Sequence, residues 1–284
     1  MLGVVTGLKS EAKLLHGIGV MCISTGGRAH IARAKIERLL DRGVRGLVSF
    51  GIAGALAPEL KSGDLIIADT VMNEIGEIWR THEPWVEALA SAVEAARRDH
   101  GDDAPHHAAA RRSEGHAVGA PLWSSEPDVP MDVTPALSRG SSERRTRAAR
   151  GIPAQGRDDG GRGVTVGAIL GLDRMLSSPA EKAQALGQRG ALGVDMESHH
   201  VARAAAERGL PFIAVRAISD TAGEVLPAVM ASFVDQEGRT KMSAVLAALI
   251  LGRVRLGALL QTGRASRRAH HALLRCRGAV AGLG

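Results

Sequence analysis

The sequence predicts an α/β protein in three layers, with a mostly parallel or mixed central sheet flanked by helices on both faces. Short apolar runs bounded by glycine or aspartate recur along the 284 residues, and helical patterns lie between several of them. Most of these runs are apolar at consecutive positions, which is typical of strands covered on both faces. Strands that alternate with helices favour a largely parallel sheet.

The predicted strands are the apolar runs, taken in order along the chain: Leu2–Thr6, Val20–Ser24, Gly46–Phe50, Leu65–Ala68, Val164–Leu170 and Phe212–Ile218. Between the second and third strands, apolar residues at helical spacing predict a helix over Ala29–Arg42, which Gly43 ends. An alanine-rich helix is predicted over Asp195–Arg208, before Gly209.

The chain is predicted to divide into one α/β domain, residues 1–94 and 164–241, an atypical segment, 95–163, and a basic helical tail, 242–284. Arginine, glycine, serine and proline are common in the atypical segment and periodic apolar residues are few. Such a stretch cannot bury enough apolar surface to order itself. We interpret it as a disordered insertion or as a stretch whose reading frame has been altered.

The composition excludes several classes of protein. Two cysteines, Cys22 and Cys276, in unlike contexts give neither a disulfide framework nor a zinc site, and the N-terminus lacks the features of a signal peptide. We therefore expect a cytoplasmic protein. The histidine pairs have no i, i+4 spacing, so no metal site is predicted; they are His106-His107, His199-His200 and His270-His271.

The net charge of +6 comes from the atypical segment and from the tail, which has no acidic residue after Lys241. Arginines interspersed with leucines suggest a basic amphipathic helix that contacts anionic membrane, at the inner face of the membrane. The alternative is a helix packed on the domain. Nucleic-acid binding is not expected, because no recognised motif or interleaved aromatic residue accompanies the charge.

Residues suited to chemistry follow the predicted strands, where ligands bind in open α/β sheets. Ser219 and Asp220 end one apolar strand, and a carboxyl group desolvated there can hold a proton near neutral pH. Asp220 could equally cap the following turn. Met196 and Glu197 begin the alanine-rich helix, where the carboxylate could hold two sugar hydroxyls or simply lie on a solvated helix face.

A third cluster consists of small residues. Gly51 and Gly54 follow a predicted strand and would let the backbone approach a ligand closely. The spacing matches neither a dinucleotide fingerprint nor a P-loop. Taken alone, this cluster indicates little.

In this order, the three clusters resemble the nucleoside phosphorylase and nucleosidase superfamily, and its methylthioadenosine/S-adenosylhomocysteine nucleosidases in particular. The matching segments are Gly3-Val-Val-Thr-Gly-Leu-Lys-Ser-Glu11, Ser49-Phe-Gly-Ile-Ala-Gly54 with Gly63-Asp64, Val194-Asp-Met-Glu197 and Arg216-Ala-Ile-Ser-Asp220. Within the superfamily, the amino-acid sequence of these segments and the arginine-rich tail are most similar to those of the hopanoid-associated phosphorylases, which are thought to remove adenine from adenosylhopane.

The resemblance implies a role for each matching residue. Asp220 would protonate N7 of the purine as the glycosidic bond breaks, and Ser219 would orient it. Glu197 would hold the ribose 2′ and 3′ hydroxyls with Met196 packed beside it. Glu11 would activate water, as in the hydrolytic members. The resemblance also implies a homodimer and no cofactor.

The sequence departs from the family where an aromatic ring usually stacks on the purine. The corresponding stretch, Gly167–Gly171, has no ring, so the base contact is assigned to Ile169, Leu170 and Met196. Phosphate is possible as a co-substrate in place of water. Thr25 and Arg28 in the stretch Ser24-Thr-Gly-Gly-Arg28 offer backbone amides and a cation for it, although Arg28 could equally be a solvated residue.

The expected function is cleavage of an adenine nucleoside or nucleosyl lipid, with adenosylhopane as the expected substrate. The alternatives are a hydrolytic methylthioadenosine/S-adenosylhomocysteine-type nucleosidase and a non-catalytic purine-binding protein. Trp79 and Trp85 would either line an apolar entrance for a lipid or pack on the core.

Overall fold

The computed structural model describes residues 1–99, 163–227 and 256–284, with isolated positions between 233 and 251. It confirms the predicted α/β fold class. The strands are β1 (Gly3–Thr6), β2 (Met21–Ser24), β3 (Leu47–Ala55), β4 (Leu65–Asn73), β5 (Ile78–Arg80), β6 (Val164–Gly171), β7 (Gly193–Asp195) and β8 (Phe212–Asp220). The helices are α1 (Lys9–Leu14), α2 (Ala29–Leu40), α3 (Glu83–Asp99), α4 (Pro179–Arg189), α5 (Ser198–Glu207) and α6 (Leu256–Ala281).

The sheet is mixed, and part of it closes on itself. Strands β2, β1, β3 and β8 run parallel as neighbours, and β8 then pairs antiparallel with β4. Strand β4 continues to β6, β6 to β7, and β7 returns to the end of β3. Strands β3, β8, β4, β6 and β7 therefore form a ring in which the long β3 takes part twice.

The two faces of the sheet are covered by different helices. Val5 of β1 lies in the cluster that contains Ile36 of α2 and Val201 of α5. Its neighbour Val4 lies in the cluster that contains Leu89 of α3 and further apolar residues of α6. Because successive side chains of a strand point to opposite faces, this division gives the three predicted layers.

Several elements differ from their predicted bounds, and two of the differences bear on the site. β3 continues to Ala55, so Gly51 and Gly54 lie inside a strand and not in a loop after it. The prediction that a helix begins at Asp195 is wrong, because Asp195 ends β7 and α5 begins at Ser198. A strand of three residues leaves too little pattern to be recognised in a sequence.

The predicted atypical segment begins too early. Residues 95–99 belong to α3, whose apolar face includes Val86, Leu89 and Val93. Residues 100–162 lie outside the described residues, as does most of 228–255. The two interpretations of this segment therefore stay untested.

Both tryptophans pack on the domain. Trp85 is half-buried against the cluster on the α3 side, and its ring lies so close to Gly46 that a Cβ there would be 2.3 Å from it. Trp79 packs on the opposite cluster, with the Arg203 guanidinium 5.8 Å from its ring centre. The core interpretation is therefore favoured over an apolar entrance for a lipid.

Helix α6 also packs on the domain. Its apolar residues face β8, α3 and α1 and are buried; they are Ala265, Ala269, Ala272, Leu273, Cys276 and Val280. The arginines Arg264, Arg267 and Arg268 stay exposed on its outer side. Within the described part of the chain, no helix is both long enough and apolar enough to cross a bilayer.

Candidate active site

Asp220 is directed into the molecule by an irregularity in β8. Register runs evenly from Leu47 opposite Phe212 to Ala53 opposite Ile218, and then skips so that Gly54 lies opposite Asp220. Ser219 is the extra residue of this bulge. Bulges of this kind bend a strand and re-aim a side chain. The Asp220 carboxylate consequently lies against Gly54, where a Cβ would come within 2.9 Å of its Oδ2.

Each carboxylate oxygen of Asp220 has its own partner. The Ser219 hydroxyl lies 2.7 Å from Oδ1 and 3.2 Å from the carbonyl oxygen of Ala53. The Lys182 ammonium lies 2.6 Å from Oδ2. These bonds hold Asp220, which is 7% exposed, in one orientation beside β3. Sequence analysis identified Ser219 as an orienting residue but missed Lys182.

Glu11 is fixed by backbone amides on two sides. The amide of Leu8 donates to Oε2 at 2.7 Å, and the amide of Ile52 in β3 donates to Oε1 at 2.9 Å. The first bond belongs to the start of α1, where Glu11 lies in the first turn. Gly51 leaves the space that Glu11 needs, since a Cβ there would lie 2.8 Å from its Oε1.

The same space holds a buried arginine that sequence analysis did not assign to the site. Arg216, which is fully buried in β8, donates from Nε to Asp195 Oδ2 at 2.5 Å. Its Nη2 donates to the hydroxyls of Ser49 and Ser198. Its Nη1 has no protein partner and lies, like Glu11 Oε1, 2.8 Å from the Cβ position of Gly51. An unpartnered buried donor beside a carboxylate is a place for a polar ligand atom.

Glu197 and Met196 lie beside the loop after β2. The hydroxyl of Thr25 lies 3.4 Å from Glu197 Oε1, and Arg216 Nη2 lies 3.9 Å from Glu197 Oε2. Gly27 lies near both Glu197 Oε1 and the Met196 side chain, with 3.8 Å from its Cβ position to each. Glu197 is the N-cap residue of α5, whereas the sequence predicts it inside the helix.

These groups converge because of strand pairing. Gly54 of β3 lies opposite Asp220 on one side and opposite Val194 of β7 on the other. Met196 and Glu197 follow Val194 directly in the sequence. The C-terminal half of β3 therefore lies next to the predicted acid at Gly54 and next to Glu11 at Gly51, while the predicted sugar-binding carboxylate follows β7.

The site contains four buried carboxyl groups, those of Glu11, Asp195, Glu197 and Asp220. Asp220 pairs with Lys182, and the other three lie near the single guanidinium of Arg216. Arg216 pairs closely with Asp195, which leaves Glu11 and Glu197 only partly compensated. Burial raises the pKa of Glu11, against the lowering effect of the Leu8 and Ile52 amides. Burial also raises the pKa of Glu197 to about 8, with Arg216 opposing the shift. Carboxyl groups with raised pKa values suit proton transfer and hydroxyl binding.

Two of the three predicted base-contact residues are packed in the core. Ile169 and Leu170 are in β6, 0% and 2% exposed, and pack in two apolar clusters. Neither side chain offers a free face to a ring in this structure. Met175, a half-buried residue after the same strand, is not in those clusters. Arg28 precedes α2 at the edge of the loop that carries Thr25.

One group of side chains outside this site could hold a metal ion. The Nε2 atoms of His199 and His200 lie 3.0 Å and 2.8 Å from Oδ1 of Asp173, and the ligand atoms all lie within 4.8 Å of one another. The buried Nδ1 of His199 has no hydrogen-bond partner. A metal-bound histidine usually donates from its second nitrogen. Without a metal, both histidines can donate from Nε2 to the one carboxylate oxygen of Asp173.

A cavity of about 610 Å³ lies beside the edge strand β2, between α1 and α2. Its walls carry Lys9, Lys13, Lys35, Arg38 and Arg42, and none of the predicted site residues lines it.

We predict a pH-dependent stability difference between the wild type and Glu197→Gln. Between pH 5 and 8 the folded wild type keeps a proton on Glu197 that the unfolded chain has released, so the free energy of unfolding falls as the pH rises. Relative to Glu197→Gln, the wild type should lose at least about 1 kcal/mol over this range. Urea denaturation measures it, with the exposed Glu59→Gln as control; parallel curves for wild type and Glu197→Gln would contradict the assignment.

Known proteins share this architecture. The 5′-methylthioadenosine/S-adenosylhomocysteine nucleosidase of Neisseria meningitidis superposes with a TM-score of 0.57 at 13% identity, covering 98% of each chain. The S-adenosylhomocysteine nucleosidase of Streptococcus pyogenes gives 0.52 at 16% identity, with 87% of this chain and 95% of that one covered. A futalosine hydrolase mutant of Helicobacter pylori gives 0.50 at 15% identity, covering 88% and 98%.

A search of curated proteins finds no significant sequence match. The profile of the phosphorylase superfamily, in contrast, matches residues 12–251, which includes β3, β7 and β8 with the carboxylates Glu197 and Asp220. The match covers most of the chain, and the fold agrees with it. The protein belongs to the phosphorylase superfamily.

Proposed function

We propose that the protein cleaves the N-glycosidic bond of an adenine nucleoside and releases adenine. The observation that carries the proposal is the convergence of Glu11, Glu197 and Asp220 around β3, next to the buried Arg216. Superfamily membership supports it, and so do the nucleosidases and the nucleoside hydrolase that share the fold.

In the proposed reaction, positive charge develops on the ribose while electrons move onto the base. Asp220 gives its proton to N7 of the purine, which makes adenine a neutral leaving group. Glu197 binds the ribose 2′ and 3′ hydroxyls, and the carboxylate form of this residue stabilises the cationic sugar. Met196 packs against the sugar. The roles of Asp220 and Glu197 require carboxyl groups that are fixed in position. Asp220 is held by Lys182 and Ser219, and Glu197 lies beside the Thr25 hydroxyl.

We propose water as the nucleophile, activated by Glu11. The unpartnered Nη1 of Arg216 beside Glu11 supports this, because a water there would find a donor and a base together. Gly51 and Gly54, which are predicted to let the backbone approach a ligand, have their open sides occupied by Glu11 and Asp220. A phosphate ion placed there would meet carboxylates, which disfavours phosphorolysis.

Two substrate classes suit this chemistry. The amino-acid sequences of the strand ends and of the tail, which resemble those of the hopanoid-associated phosphorylases, favour adenosylhopane, a nucleosyl lipid. The solved structures that share the fold favour methylthioadenosine or S-adenosylhomocysteine. We propose adenosylhopane as the specific substrate. The absence of an aromatic ring in Gly167–Gly171 also motivates a purine-binding protein without catalysis.

Peripheral membrane contact through the basic tail is part of the same proposal. The exposed Arg264, Arg267 and Arg268 on α6 support it, whereas the apolar face of α6 is used for packing. The contact would therefore be electrostatic, with little insertion. A homodimer at an inner membrane face remains our expectation.

The first prediction concerns Asp220. Asp220→Asn should lower the rate of adenine release by about 10²–10⁴-fold, because the amide cannot supply the proton. Release is followed by chromatography of the base, with adenosine, methylthioadenosine and adenosylhopane as substrates. Asp69→Asn, an exposed carboxyl group of β4, is the matched control. Full activity in Asp220→Asn would refute the proposed acid, and adenine binding without turnover in the wild type would favour the binding protein.

The second prediction concerns the nucleophile. With or without added phosphate, the sugar product should be the free ribosyl compound, and adenosylhopane should be cleaved with the highest kcat/KM of the three substrates. Mass spectrometry of the sugar product decides the first point. A phosphorylated sugar that appears only with phosphate would reassign the protein to the phosphorolytic members, and faster cleavage of methylthioadenosine would favour that substrate.

The third prediction concerns the tail. Cosedimentation with vesicles rich in phosphatidylserine should decrease several-fold when Arg264, Arg267 and Arg268 are changed to glutamine, because each surface cation contributes about 1 kcal/mol. Substitution is preferable to deletion because α6 is part of the core. The combined Arg33→Gln, Arg45→Gln and Arg80→Gln variant, which removes three exposed charges elsewhere, serves as the charge-matched control. Equal sedimentation of all variants would exclude the contact.

A further inference from the structure

Lys182 is the charged residue of α4 that is closed off from solvent. Its side chain is 0% exposed and lies one helical turn before Leu186, on the inner side of the helix. A lysine is rarely buried completely unless its charge is paired. Its partner here is Asp220, through a contact of 2.6 Å between Nζ and Oδ2.

The ammonium group has three acceptors for its three N–H bonds. Besides Asp220 Oδ2, they are the carbonyl oxygens of Thr221 at 2.7 Å and Glu224 at 3.3 Å. A neutral amine has two N–H bonds and would leave one of these acceptors without a donor. The surroundings of Lys182 therefore suit the charged form of its side chain.

The neighbouring acid does not compete for Lys182. The carboxylate of Glu181 is engaged at the start of α4, where it accepts from the amides of Ser177 and Ser178. These bonds and the Ser178 hydroxyl lower the pKa of Glu181 to about 2. Helix α4 is thus anchored by its capping box, which fixes where Lys182 enters the site.

The contacts distinguish the two oxygens of Asp220. Oδ2 accepts a hydrogen bond from the Lys182 ammonium, which disfavours a proton on that oxygen. Oδ1 faces the hydroxyl of Ser219, which has a single hydrogen but two neighbours, Oδ1 and the carbonyl oxygen of Ala53. When Asp220 is ionised, the hydroxyl donates to Oδ1. When Oδ1 carries a proton, the Ser219 hydroxyl can accept a hydrogen bond from Oδ1–H and donate its own hydrogen to the carbonyl oxygen of Ala53.

We propose that Lys182 is a positioning residue that holds Oδ2 of Asp220, so that Oδ1 is the oxygen that carries and delivers the proton to the purine. The inference rests on the proposed function. In the step, the Oδ1–H bond breaks and an N7–H bond forms, while the electron pair of the C1′–N9 bond passes to the base. The carboxylate that remains is stabilised by the ammonium of Lys182 and by the hydroxyl of Ser219.

A purely structural role for Lys182 makes a different prediction. Through the carbonyl groups of Thr221 and Glu224 it also ties down the segment after β8. If that were its whole contribution, substitution would lower stability or substrate affinity equally for every leaving group. Dependence on the leaving group separates the two roles, because a group that departs as a stable anion needs no proton.

The test compares wild type, Lys182→Met, Lys182→Arg and Asp220→Asn on two substrates. One is the best adenine nucleoside of the wild type, and the other is 4-nitrophenyl β-D-riboside, whose nitrophenolate leaves without protonation. For the nucleoside, Lys182→Met should lower kcat by about 10²-fold, with KM changed less than about threefold. For the nitrophenyl riboside, its kcat should stay within about fivefold of the wild type. Arg33→Met, an exposed cation of α2, is the control.

Lys182→Arg should recover part of the lost nucleoside activity, because it restores the charge with a different geometry. Circular dichroism and adenine binding confirm that each variant is folded. Equal losses on both substrates, or wild-type kcat on the nucleoside in Lys182→Met, would overturn the proposal. A wild type that cleaves neither substrate would instead refute the proposed function, so the two failures are distinguishable.

Discussion

The candidate site is organised around the buried guanidinium of Arg216. This side chain is fully buried in β8, where an unpaired charge would cost several kcal/mol. Asp195 supplies the compensating charge from β7, and the hydroxyls of Ser49 and Ser198 complete the hydrogen bonds of Nη2. The pair therefore fixes the relative position of β3, β7, β8 and the first turn of α5, and thereby of every candidate carboxylate.

The pairing of Arg216 with Asp195 also explains why the pKa values of Glu11 and Glu197 are raised. A single guanidinium that is already matched by Asp195 cannot neutralise Glu11 and Glu197 as well. Their desolvation is compensated by backbone amides and by Thr25, which are weaker than a full ion pair. A site with an excess of carboxyl groups is unfavourable for stability, but it is the charge distribution that stabilises a cationic sugar.

Much of the fold was readable from the sequence because buried strands leave continuous apolar runs and helices leave a period. Asp220 and Glu197 could be singled out because each follows or adjoins such an element, whereas Glu11 was singled out by the family resemblance alone. Lys182 could not be found in the same way: its partner lies 38 residues later, and only the tertiary structure joins them. The start of the helix that carries Lys182 could have been predicted, since Ser178, Pro179 and Glu181 have the pattern of a capping box. Ile169 and Leu170 were placed in the pocket by alignment with a missing aromatic ring, whereas packing draws them into the core.

The closed ring of strands has a consequence for how the protein is made. Strand β3 must receive β8 along its whole length and β7 at its end, and β8 is separated from it by more than half of the chain. Contacts so distant in sequence carry a large loop-closure entropy and are slow to form. During synthesis, Glu11 and the glycines of β3 emerge long before Arg216 and Asp220. The nascent chain must therefore keep the apolar faces of β1, β3 and β4 from aggregating until β8 is available to complete the ring.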